Sequence, residues 1–237
     1  MSALIRAVGV LVPARDEEDG LGRCLDAVFV ALRHLPSDVT AAVCLVVDRS
    51  RDDTAGVAHR AIRRSGRGRA VDVLVNGQEV SVGALRNRAA RRLLERLAPA
   101  PLSSTWLLST DADSRVDADW ALRHLALADA GADAVAGGVR PDGPVTTWVD
   151  DPEGLYAANL GLRAGPFLQV EGFPEIRFGE DGGVVRRFRS TGHQVVVEPG
   201  LTVATSARLV GRADGGLADL LSSQARISRP DAGTPTP

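Results

Sequence analysis

Aromatic side chains make up only 4% of this sequence, and it carries just two cysteines. The core must therefore be aliphatic, and a disulfide-stapled scaffold is excluded. Cys24 and Cys44 sit in apolar contexts without metal-ligand spacing and read as buried thiols of a reducing compartment. No apolar run approaches the ~20 residues of a membrane span. The N-terminal apolar stretch meets charge too early to be a signal peptide, so a cytoplasmic protein with no integral membrane segment is expected. Neither charge is in excess: the formal net charge is −2 over 237 residues, and nothing global suggests a nucleic-acid partner. Arginine clusters at 60–69 and 86–96 read mostly as solvated helix faces and turns. Two phosphate-binding signatures are also missing. No G-x-G-x-x-G follows the first apolar run and no G-x-x-x-x-G-K-[ST] occurs anywhere, which argues against a dinucleotide-binding Rossmann domain and a P-loop NTPase.

What is present is ample apolar material, 44% of residues, arranged in alternating periods. Strands are expected at 4–14, 41–48, 70–76 and 104–110. Helices are expected at 17–35, 52–64 (with Asp52 or Asp53 near its cap), 81–98 and 117–131, the last stopping at Gly131. Such alternation predicts an α/β fold with a mostly parallel central sheet flanked by helices. Ligands of such sheets bind beyond the carboxyl ends of the strands. Three of those ends, "PARDEE", "DRSRDDT" and "STDADS", are polar or acidic and would lie along one edge.

The third of them is the most informative. Asp111 and Asp113 follow the apolar run "LLST" directly, one residue apart. They either turn the chain and cap the next helix or hold a divalent cation against an anion. With no glycine cradle, a bound diphosphate needs another counter-charge, and Mg²⁺ typically takes one or two carboxylates plus substrate phosphates.

Five stretches in this order, "VLVPARDEE", "VVDRSRDDT", "GALRNRA", "LLSTDADS" and "FGEDGGVVRRF", resemble the GT-A glycosyltransferases of family 2 over roughly residues 5 to 210. The resemblance implies a Rossmann-like nucleotide-diphospho-sugar transferase fold, a divalent cation (Mg or Mn), and inverting transfer of a sugar from a nucleotide-sugar, UDP- or GDP-linked, to an acceptor hydroxyl. It implies that Pro13, Ala14 and Glu17 line the nucleoside pocket and that Asp48 contacts the base. Arg86 would lie near the donor phosphates. Asp113 would bind the metal, with Asp111 facing the ribose or the metal. Two positions depart from the usual pattern: Val47 replaces the first of two aspartates, and Asp16 stands where many relatives have Asn.

After residue 131 the pattern changes. A strand is expected at 132–140, a Pro/Gly-broken loop at 141–154, glycine turns with a helix starting near Glu180 over 155–192, and a strand at 193–199. Inverting transfer needs a general base, and "GED" at 179–181 offers Glu180 and Asp181. Neighbours at a helix start point about 100° apart, so only one faces the reacting carbon. The resemblance favours Asp181 as base, with Glu180 hydrogen-bonded to acceptor or backbone. On their own, both read better as acids at a helix N-terminus, stabilised by its dipole. The resemblance also implies a late histidine or basic residue over the diphosphate; no histidine follows His193, and Arg208 or Arg212 could act on the phosphates instead. His124 reads as packing or surface rather than as a ligand. One domain over 1–227 is expected, with a nucleotide-sugar half (1–131) and an acceptor half (132–227), then a disordered tail at 228–237 rich in Pro, Gly and Thr. The acceptor would be a small molecule or carrier-bound, and a homodimer is compatible with this plan. Two other readings stay open: a retaining GT-A transferase of the glucosylglycerate-synthase type, and a non-catalytic nucleotide-sugar-binding or partner subunit.

Overall fold

A computed structural model of the chain describes residues 3–142 and 155–206. Arg208, Arg212, most of the expected loop at 141–154 and the tail at 228–237 lie outside the described residues. The first half runs β1 (Ala7–Ala14), α1 (Leu21–Arg33), β2 (Thr40–Asp48), α2 (Thr54–Ser65), β3 (Val71–Asn76), α3 (Val82–Arg96), β4 (Thr105–Ser109) and α4 (Trp120–Asp129). The second half adds β5 (Ala134–Asp142), β6 (Leu160–Arg163), α5 (Ala164–Gln169), α6 (Glu180–Ser190) and β7 (Val195–Ser206). The seven strands among the described residues form one sheet in the order β3-β2-β1-β4-β6-β5-β7. Only β6 runs antiparallel, to both β4 and β5. No helix among the described residues is long and apolar enough to cross a membrane.

The central strands are apolar throughout because both of their faces are covered. Along β1, Val8, Val10 and Val12 join a cluster with residues of α1, α2 and α4, such as Leu25, Ala58 and Leu125. Ala7 and Leu11 point the other way, to Leu93 of α3 and Phe188 of α6. The same alternation runs through β2 and β4. Burying a Val or Leu side chain is worth roughly 1.5–3 kcal/mol, so these two clusters hold the sheet between its helical layers. The few aromatics are concentrated here, with Trp106, Trp120, Phe29, Phe173 and Phe188 fully buried. Both cysteines are buried free thiols.

Two buried polar hubs join the halves. Arg163 of β6 donates to the carbonyls of Ala3, Ser103, Ala128 and Ala132, closing the C-terminal end of α4. Asn159 Nδ2 donates to the carbonyls of Gly138 and Leu201, while its Oδ1 receives Trp120 Nε1–H at 2.9 Å and His124 Nε2 at 3.1 Å. With the amide oxygen accepting, His124 carries its proton on Nε2. Burial pushes the His124 pKa down to about 4. It is a packed, neutral core residue.

Several boundaries differ from expectation. The turn at 17–20 precedes α1, because its N–H groups are taken by the loop after β2: Glu17 donates to Thr54 Oγ1 and Glu18 to Asp52. At α2, Asp53 occupies the cap position without a side-chain bond, and Asp52 accepts from the Thr54 N–H instead. β6 and α5 lie within 155–192, where the sequence predicts glycine turns and a helix starting near Glu180. The last strand continues through Pro199 and Gly200 to Ser206, absorbed by a register shift at Gly137/Gly138.

Candidate active site

The three acidic strand ends do converge. Asp16, at φ 51, and Arg49, at φ 44, turn the chain after β1 and β2. Aspartate and asparagine are the side chains best suited to that left-handed conformation, which gives a reason for either at position 16. The Asp16 N–H donates to Ser50 Oγ, and its carboxylate accepts from the Arg51 N–H at 2.7 Å. Pro13 lies beyond the last β1–β4 rung, Leu11 with Ser109, where a strand tolerates a residue lacking an N–H. Ala14 is buried beside it, and Glu17 is buried at the start of the following turn. Cys24 Sγ donates to the Asp111 carbonyl at 3.3 Å, fastening α1 to the turn after β4.

In that turn the two aspartates part company. Asp111 faces α3 and accepts Arg86 Nη2–H at 2.7 Å. Arg86 is only 3% exposed, donates through Nε to Ser109 Oγ at 3.2 Å, and through Nη1 reaches Glu180 at 2.6 Å. Burial disfavours its charge, but Asp111, Glu180 and Asp181 outweigh that and raise its pKa. Burial raises the Asp111 carboxyl, which Arg86 partly offsets and Asp113 reinforces. Asp113 instead accepts the Thr205 hydroxyl of β7 at 3.4 Å, and Ser114 donates to that same hydroxyl at 3.1 Å. Asp113, Glu17, Arg23, Arg115 and Asp142 are among the residues lining a cavity of about 230 Å³ on this side.

The start of α6 completes the site. Glu180 meets a side chain, Arg86, rather than backbone. Asp181 accepts from the N–H groups of Gly182, at 2.8 Å, and Ala157, yet burial and then the Glu180 charge raise its pKa. What brings α6 here is close packing against α3. A side chain at Gly83 would strike the Pro174 carbonyl, and one at Gly183 would lie 2.5 Å from the Pro174 ring. Asn87, the residue after Arg86, grips Phe173 from both sides: its amide donates to the carbonyl at 2.8 Å and accepts the N–H at 2.9 Å. Arg187 donates to the carbonyls of Val170 and Gly172.

Asp48 stands apart from this group, at the end of β2. It is buried, accepts Asn76 Nδ2–H at 2.7 Å, and lies 3.4 Å from Arg49 Nε. Asn76, Asn87, Asn159, Arg163 and Arg187 carry no sequence signal of their own for the contacts they make. Their partners are mostly backbone groups distant in the chain, and no spacing rule reports those.

Comparison with solved structures places the fold among GT-A transferases. Staphylococcus aureus TarS 1–349 in complex with UDP is 14% identical, with a TM-score of 0.65 over 85% of this chain and 60% of that one. The mannosyltransferase PcManGT from Pyrobaculum calidifontis, in complex with GDP-Man and Mn²⁺, is 17% identical, with a TM-score of 0.68 over 95% and 63%. GalNAc-T7 with UDP, GalNAc and Mn²⁺ is 12% identical, with a TM-score of 0.64 over 85% and 44%. The chain thus spans less than two thirds of each of these relatives. No curated protein matches its sequence. The model of glycosyl transferase family 2 matches residues 9–191, and the chain belongs to that family.

Proposed function

We propose that this protein transfers a sugar from a nucleotide-diphospho-sugar, UDP- or GDP-linked, to an acceptor hydroxyl with inversion. The observation that carries the reading is the position of Arg86, which holds the turn after β4 and the start of α6 at one site. Nucleotides in complexes of TarS, PcManGT and GalNAc-T7, the latter two with Mn²⁺, support the donor class and a cation.

Asp181 acts as the general base. A carboxyl raised by burial is more basic than an ordinary aspartate, which suits proton transfer. As the acceptor oxygen attacks the anomeric carbon, its proton passes to Asp181, the bond from that carbon to the phosphate oxygen breaks, and the nucleoside diphosphate leaves from the opposite face. Asp48 faces the base, and Pro13, Ala14 and Glu17 border the nucleoside. The residues around Asp113 fit a hard divalent cation: a carboxylate flanked by the hydroxyls of Ser114 and Thr205. Among the described residues no group of three or more acidic, histidine or cysteine side chains is gathered to hold a metal alone. Remaining positions would fall to diphosphate and water. Mg²⁺ or Mn²⁺ held there would offset the charge of the departing diphosphate. A small or carrier-bound acceptor in the cytoplasm completes the proposal.

Calorimetric binding of UDP, GDP, TDP, ADP and CDP, each with and without Mn²⁺, tests it. One nucleotide should bind tightly only with the metal, and wild-type protein that binds none of them in Mn²⁺ would refute the reading.

A further inference from the structure

Arg86 is placed unlike a side chain that grips a mobile phosphate. Its Nε, Nη1 and Nη2 each donate to a protein oxygen, on Ser109, Glu180 and Asp111 respectively. Its guanidinium carbon lies 5.7 Å from the centre of the Phe173 ring, so one face is covered as well. The two carboxylates come from chain segments 69 residues apart in sequence, 111 and 180, and nothing else described joins those two side chains. The next residue, Asn87, clamps Phe173 and also reaches Glu175 at 3.3 Å. A single turn of α3 therefore sets both the metal-motif turn and the segment leading into α6.

We propose that Arg86 is a positioning residue that couples the turn after β4 to the start of α6, holding Glu180 away from the acceptor so that Asp181 alone meets the attacking hydroxyl. This rests on the transferase reading. It assigns Arg86 a role other than contact with the donor phosphates. Arginine is required because its planar fork serves two carboxylates at once, whereas a lysine ammonium is a single point of charge on a flexible stem.

The test compares wild type with Arg86→Lys, Glu180→Gln and the double variant. Two quantities are read: Mn²⁺-dependent affinity for UDP, GDP and UMP, and turnover of UDP-glucose, UDP-N-acetylglucosamine and GDP-mannose with water as acceptor. A positioning role predicts turnover down about 100-fold in each single variant, since small misplacements near the chemistry cost that much. Nucleotide affinity should stay within about threefold, and the double variant should be no slower than either single one, because coupled residues are non-additive. Loss of affinity for the diphosphates by tenfold or more with UMP unaffected would make Arg86 a phosphate ligand and overturn the proposal. Additive losses would overturn it too. Amide exchange over residues 180–183 provides a readout that needs no donor. It should speed up in Arg86→Lys and Glu180→Gln with exchange in α1 and α4 unchanged, and unchanged exchange at 180–183 would contradict the coupling. If wild type neither binds a nucleotide nor turns over a donor, the transferase reading fails, and the exchange result alone decides whether Arg86 couples the two segments.

Discussion

Asp111 and Asp113 are one residue apart and lead different lives. Asp111 is turned toward α3 and spends an oxygen on a buried arginine that also holds α6. Asp113 is turned toward β7 and α1, among hydroxyls and a polar cavity. A short acidic motif is thus shared between the two sides of the site: one carboxylate pairs with the arginine that holds the start of α6, and the other is the one we propose to meet a cation. Identical side chains acquire separate tasks from what the fold packs behind each.

That contrast can be broken from either side. The largest expected effect is on the Asp111 side, at the proposed base. Asp181→Asn should lower turnover by about 10²–10⁴, the usual contribution of general base catalysis, while Mn²⁺-dependent nucleotide binding persists; a parallel loss of both would place Asp181 in donor binding. Wild-type turnover should rise with pH as Asp181 loses its proton, with a midpoint above the ordinary aspartate value of 3.8.

Next comes Arg86→Met, which leaves Asp111 and Glu180 without their cation. Removing one partner of a buried ion pair costs about 3–5 kcal/mol, and with the Asp111 side chain 39% exposed and screened by solvent the lower end is expected, or roughly 8 °C in melting temperature for a chain this size. Calorimetric melting measures it, and a shift under about 2 °C would show that the pairing is not needed for stability.

On the Asp113 side, beneath β7, His124 supplies a pH test. Its pKa falls from 6.5 in the unfolded chain to about 4 in the fold. The unfolded state binds the proton more readily between those values, so stability should fall as pH drops from 6.5 toward 4, by about 3 kcal/mol. His124→Gln should remove most of that pH dependence. Asp181 acts in the opposite sense: its raised pKa means stability declines as pH rises through the window above 3.8. The smallest effect is Thr205→Val, which removes the hydroxyl between Ser114 and Asp113 and should cost about 1 kcal/mol of stability in denaturant melts.

Much of this plan is legible in the sequence where structure is local or periodic. β1, β2 and β4 are continuous apolar runs because both of their faces are buried, and α3 repeats its apolar positions at helical spacing. β6 escapes because "LGLR" is four residues long and is followed at once by a helix containing Gly165 and Pro166. β7 is longer than expected because Pro199 and Gly200 read as a stop, while the sheet accommodates them with a bulge. At the site, the acidic motif is visible, but its division is not. Arg86 looks like one more arginine of a basic helix, and the contact with Glu180 is made where Gly83 of α3 and Gly183 of α6 both pack against Pro174.

Asp111 belongs to the Arg86 clamp, and Asp113 is the carboxylate we propose to meet the cation. Calorimetric binding of UDP and GDP with and without Mn²⁺, on Asp111→Asn and Asp113→Asn side by side, tests it most directly. Asp113→Asn should abolish the response to Mn²⁺, and Asp111→Asn should weaken it by about tenfold or less, as for a group supporting a ligand indirectly. Equal loss in both variants, or a greater loss in Asp111→Asn, would contradict it.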